Sequence, residues 1–144
     1  MITLLRRSFT VDQPLEDAWR HLARVEQWPS WAKHIQRVNM ERAGELGPTS
    51  TGYIQLSNGI KSAFTMTEFK PYSNWKWVGR FLWLTVSYDH RFEELSPTVT
   101  KLTWLVEASG VGVSIIGRLF ARAYRTNLDR AIPLLVAEMN ANRV

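Results

Sequence analysis

The sequence contains no cysteine. Disulfides, thiolate nucleophiles and cysteine-based zinc sites are thereby excluded, and the chain fits a cytoplasmic setting. Histidine is scarce. His21, His34 and His90 stand apart, without ligand spacing or a carboxylate-rich loop, so no metal site is expected. No glycine-rich loop of the phosphate-cradling kind is present, and no cofactor is implied. No apolar run approaches the ~20 residues of a membrane-spanning helix, so no stable membrane insertion is expected. The stretch Met1 to Leu5 is apolar only briefly before Arg6 and Arg7; a secretory leader would carry its charge first, so none is expected. Arginines are scattered except towards the C-terminus, and no basic cluster interleaves with aromatics. Nucleic acid is therefore not an expected partner.

What is present is a chain of 144 residues, 45% of them apolar, with a net charge of +5 and seven tryptophans. That length fits one domain, residues 1–144, with a real core. Tryptophan is too large to be placed entirely in ordinary core, so some of the seven are candidates for the wall of a cavity.

Residues 2–11 mix apolar and β-branched types and read as a strand. Asp12-Gln13-Pro14 then opens a helix, with Asp12 as the expected N-cap and Ala18, Trp19, Leu22 and Ala23 at helical spacing. A second short helix is expected from Ser30 to Lys33, after a break at Trp28-Pro29. From Ile35 to Ala108 the pattern is β. Ser57-Asn58-Gly59 predicts a two-residue hairpin turn, and Pro71 to Asn74 and Ser96-Pro97-Thr98 mark further turns. Strands are expected at 53–57, 60–69, 75–78, 83–95 and 99–108. Connections of this length imply an antiparallel meander.

Gly110-Val111-Gly112 ends the sheet, and Ser114 is placed to cap a helix reaching about Asn142. Its expected inner face carries Ile116, Leu119, Phe120, Ala123, Asn127, Leu134 and Met139, with a kink at Pro133. Such a helix is roughly 43 Å long. It would cross the whole domain, and only the sheet can bury its apolar stripe. The order predicts an α+β, helix-grip architecture: a curved antiparallel sheet of about seven strands around a long C-terminal helix, with two short helices after the first strand.

Val11-Asp12-Gln13-Pro14-Leu15-Glu16-Asp17-Ala18-Trp19 and Trp28-Pro29-Ser30-Trp31 resemble the opening of the polyketide cyclase/dehydrase and lipid-transport family, of the START-like, Bet v 1-like superfamily. Glu68-Phe69-Lys70-Pro71 with Trp75-Lys76-Trp77-Val78-Gly79 is similar to a strand turn of that family. His90-Arg91-Phe92-Glu93 and Thr100-Lys101-Leu102-Thr103-Trp104 are similar to its last strands. The resemblance covers essentially the whole chain. It implies a helix-grip fold and a small hydrophobic ligand such as a lipid, sterol or polyketide, with cyclisation or dehydration in a minority of relatives. It supplies no universal catalytic motif.

Alternation sorts the strand faces. Tyr88, His90 and Phe92 share one face, as do Trp75 and Trp77, and Trp104 lies on the apolar face of the last strand. Together with Leu119, Ala123 and Asn127 of the long helix, these are the expected ligand-binding residues. His90 is the candidate polar group, either as hydrogen-bond donor or general base, or as a core histidine satisfied by Tyr88, Asn127 or water. Glu68 either faces inward as a catalytic carboxylate or lies at the surface. Asn127 either meets a ligand or ties the helix to the sheet. Trp19, Trp28 and Trp31 are expected to be core. Arg118, Arg122 and Arg125 share an outer helical face, which is either simply solvated or apposed to an anionic membrane surface if an exposed apolar surface accompanies it.

Three readings follow. The first is a binding module for a small hydrophobic molecule held between sheet and helix. The second is a cyclase or dehydratase using His90, with Glu68, as acid or base in the same pocket. The third is a protein-interaction domain, such as a homodimer through the outer sheet.

Overall fold

A computed structural model describes residues 1–42 and 44–141. Strand β1 (Ile2–Val11) leads into helix α1 (Leu15–Ala23), with Pro14 rather than Asp12 at the N-cap position. The second short helix is a 3-10 helix at Val25–Ser30, earlier than expected. Trp28 and Pro29 lie within it instead of breaking it. The buried indole of Trp28 donates to the Leu22 carbonyl at 2.8 Å, and that anchor holds the turn although Pro29 removes one backbone donor.

Six further strands follow: β2 (Ile35–Met40), β3 (Thr51–Leu56), β4 (Lys61–Lys70), β5 (Asn74–Phe81), β6 (Leu84–Ser96) and β7 (Val99–Ser109). They form one antiparallel sheet in the order β1-β7-β6-β5-β4-β3-β2. The sheet is curved and open. Its two edges, β1 and β2, are consecutive strands joined across the fold by α1 and the 3-10 helix. The meander and the helix-grip architecture are as the sequence predicts.

The β3–β4 connection differs in detail. Leu56 and Ile60 close it by a backbone hydrogen bond, leaving Ser57, Asn58 and Gly59 as a three-residue loop. Only Gly59 takes a positive φ (92°); Asn58 accepts the Ile60 N–H through its side chain instead. That is a turn followed by a left-handed glycine, not the two-residue form.

Helix α2 (Val113–Ala141) runs unbroken through Pro133. Its expected end near Asn142 falls outside the described residues, and Ser114 lies inside the first turn. Its buried line is Gly117, Ala121, Leu128, Ala131, Leu135 and Met139. The expected face is therefore corrected. Leu119, Ala123 and Leu134 are exposed, while Ile116, Phe120 and Asn127 are half-buried. Close approach of β1 accompanies this: a Cβ on Gly117 would stand 2.9 Å from a methyl of Leu4, so a larger residue there would require the Leu4 side chain to shift. At the other end Gln13 Nε2 donates to the Met139 carbonyl at 2.6 Å, and the Asp12 N–H donates to Asn140 Oδ1 at 2.9 Å. The helix is thus fastened to β1 near its start and to the β1–α1 junction near its end.

Candidate functional site

Alternation places Trp75, Trp77, Tyr88, His90, Phe92 and Trp104 on the face that meets α2, and all but half-buried Tyr88 are buried. Cross-strand register brings them together: Trp75 opposes His90, Trp77 opposes Tyr88, and His90 opposes Trp104. His90 stacks on Trp75 with ring centroids 4.8 Å apart. Trp77 meets it at 5.0 Å, Trp28 at 5.8 Å and Trp104 at 6.4 Å. The imidazole thus sits within four indoles.

This enclosure decides its chemistry. Burial holds the His90 pKa down at about 4, against only a partial upward pull from the Trp75 carbonyl, 3.3 Å from Nδ1, and from Asp89. His90 is neutral at pH 7. Its backbone partner is Trp75, not Tyr88, Asn127 or a carboxylate. Burial likewise pushes Tyr88 up, and Tyr124 to about 12, so both phenols stay protonated. Two buried donors, the indole N–H groups of Trp75 and Trp104, find no acceptor among the described residues. Buried polar groups are ordinarily paired, so both donors stand available to an oxygen that enters this interior.

Glu68 lies on the other side of the sheet. A register shift between Met66 and Glu68 breaks the alternation, so Met66 pairs with inward Trp77 while Glu68 pairs with Lys76. Its carboxylate accepts from Asn74 at 2.6 Å, and that bond holds its pKa below the usual value. Asn74 also donates to buried Asp89, which Arg91 meets at 2.7 Å. The carboxylates nearest in sequence to His90 therefore belong to an outer-face network, separated from the imidazole by the sheet. The acid–base pair that the second reading needs is not assembled among the described residues.

Among the described residues, two recesses that open to solvent stand out. One, of about 400 Å³, lies on the outer face among Arg6, Lys70, Arg91, Lys101, Glu68 and Glu93. Four cations and two carboxylates line it, and it offers little apolar floor. The other, of about 330 Å³, lies between α2 and the segment joining the 3-10 helix to β2. Trp31, Ala131 and Leu134 supply its apolar surface; Lys33, His34, Asn127 and Arg130 supply polar groups. Burial lowers the His34 pKa, so this imidazole too is neutral at pH 7. Trp31 is the partition between the recess and the aromatic interior, packing on Trp104 at 5.8 Å and Trp28 at 5.4 Å.

Of the expected ligand-binding residues only Asn127 lines this recess. Leu119 and Ala123 point away from the sheet, because the buried line of α2 is rotated from the one expected. The signal for the recess was present in Asn127, Arg130, Ala131 and Leu134, spaced i, i+3, i+4 and i+7 on one helical face. Trp31 is core, as expected, and its outer side also borders the recess.

The fold recurs in solved structures of low sequence identity. A hypothetical protein from Helicobacter pylori superposes with a TM-score of 0.77 at 15% identity, covering 93% of this chain and 86% of that one. The Zhui aromatase/cyclase from Streptomyces sp. R1128 gives 0.67 at 16% identity, covering 94% and 92%. A START superfamily protein from Mycobacterium smegmatis gives 0.68 at 14% identity, covering 93% and 97%. No curated protein sequence matches the chain. Residues 3–135 match the model of one family, and with the helix-grip sheet this assigns the chain to the polyketide cyclase / dehydrase and lipid transport family.

Proposed function

We propose that the protein binds a small hydrophobic molecule bearing a polar or anionic end, in the recess between α2 and the segment that joins the 3-10 helix to β2. The observation that carries this reading is the composition of that recess: an apolar floor of Trp31, Ala131 and Leu134 beside the cations Lys33 and Arg130. Its volume of about 330 Å³ is at the lower end of the ligand-pocket range. An alkyl or aromatic body fits the floor, and a carboxylate or phenolate fits the cations. Trp31, at the inner wall, stands before Trp104, whose free indole donor suits a ligand oxygen that reaches further in.

The enclosed, neutral His90 without a carboxylate partner favours binding over acid–base catalysis at that residue. The test is fluorescence titration with anilinonaphthalene sulfonate, followed by displacement with decanoate and with decanol. Decanoate is expected to displace the dye more strongly than decanol. Leu134→Trp, which narrows the recess at a half-exposed position, is expected to weaken binding at least tenfold. Arg130→Gln should abolish most of the preference for the acid. Absence of binding, or binding unaffected by Leu134→Trp, overturns the reading.

A further inference from the structure

At one end of the molecule, large apolar side chains face solvent. The two-residue β5–β6 turn is Leu82-Trp83, with exposures of 62% and 56%. Val111, in the link to α2, is 84% exposed, and Ile115 and Leu119, one turn apart at the start of α2, are 69% and 61% exposed. These segments are adjacent: Trp83 Nε1 donates to the Val111 carbonyl at 2.7 Å, and Phe81 packs on Phe120 at 4.9 Å. Leu82 holds φ at 55°, in the left-handed region where a turn favours glycine. Ile115 and Leu119 occupy the outer side of α2 while glycine and alanine occupy its buried line. Core packing accounts for none of these choices.

The charged residues carried by the stretches that form this patch have one sign, with Glu107 and Asp129 at their borders. Residues 77–88 and 108–128 include Arg80, Arg118, Arg122 and Arg125 and no aspartate or glutamate. Arg118, Arg122 and Arg125 form a stripe at i, i+4 and i+7, next to Ile115 and Leu119. Neither Arg118 nor Arg122 makes an ion pair among the described residues. Arg125 lies near Asp129, whose carboxylate is already held by Arg7 at 2.8 Å.

We propose that this end is a docking surface for an anionic lipid bilayer, with Leu82, Trp83, Val111, Ile115 and Leu119 entering the interface and the arginine stripe contacting lipid phosphates. Exposed aliphatic and indole groups flanked by guanidinium groups are the two components of reversible interfacial binding. No helix among the described residues is long and apolar enough to cross a membrane, and interfacial docking requires none. The proposal stands apart from the pocket reading. Asn127 is two turns beyond Leu119, about 12 Å along the helix, so docking would also bring the recess close to the lipid surface.

The test is co-sedimentation of the full chain with phosphatidylcholine vesicles, with and without phosphatidylglycerol. Binding is expected only with phosphatidylglycerol, and about 0.5 M salt should release the protein. Arg118→Gln with Arg122→Gln should weaken binding about 30-fold, at roughly fivefold per arginine. Ile115→Ser with Leu119→Ser should weaken it at least tenfold while the circular dichroism spectrum and the dye titration of the recess remain unchanged. A protein left in the supernatant with phosphatidylglycerol vesicles overturns the proposal. So does serine-variant binding equal to the parent's, or a dimer by light scattering that the serine variant converts to a single chain.

Discussion

Replacing His90 with leucine should flatten the dependence of folding stability on pH between neutrality and pH 4. In the folded chain burial among Trp28, Trp75, Trp77 and Trp104 holds the imidazole pKa at about 4; unfolded, it returns to the ordinary value of 6.5. The unfolded chain therefore binds a proton that the folded chain refuses. The contribution of His90 is fully present above pH 6.5 and is lost as pH falls towards 4. A difference of about 2.5 units corresponds to about 3 kcal/mol, of which roughly 2.5 kcal/mol is lost by pH 4.5. His34, also depressed by burial, titrates in the same direction but is common to both proteins and cancels. Urea unfolding followed by tryptophan fluorescence at pH 7.5, 6, 5 and 4.5 provides the comparison. With a slope of roughly 2 kcal/mol per molar for a chain of this size, the parent's midpoint should fall by roughly 1 M more than the variant's. Loss of the 3.3 Å contact with the Trp75 carbonyl shifts the variant by a constant offset and leaves the difference in slope intact. Parallel pH profiles for the two proteins would refute the claim that this imidazole is enclosed and neutral.

Two substitutions test the packing. Leu135→Ala, on the buried line of α2, should cost about 3 kcal/mol, whereas Leu119→Ala, on its outer side, should stay within about 0.5 kcal/mol; urea titration of both checks the rotated face. Gly52→Ala in β3 would bring a methyl to 2.2 Å from the backbone oxygen of Asn39 and 3.0 Å from the Phe64 ring, so a loss of roughly 3 kcal/mol or more is expected in thermal unfolding.

The strands were legible because two independent constraints coincide in them. The chain alternates with a period of two, and one face of the sheet must be covered by α2, so Trp75, Trp77, His90, Phe92 and Trp104 could point only one way. Glu68 marks the limit of that logic: a single register shift after Met66 sends it to the outer face, and nothing in the local composition announces a bulge. The helix was legible in extent but not in orientation. Pattern reading assigns the larger apolar residues to the core, whereas at the start of α2 the buried line is Gly117, with Leu4 close against it, and Ala121, and the larger Ile115 and Leu119 are turned outward. The recess was hidden for the same reason, since it depends on which helical face meets Trp31, and that is set by β1 and by the anchors at Gln13 and Asn140. Where size and burial part company in this way, the sequence is satisfying a second requirement besides core formation. In α2 that requirement is concentrated in its first two turns, where arginine and exposed aliphatic side chains share a surface and carboxylates are absent.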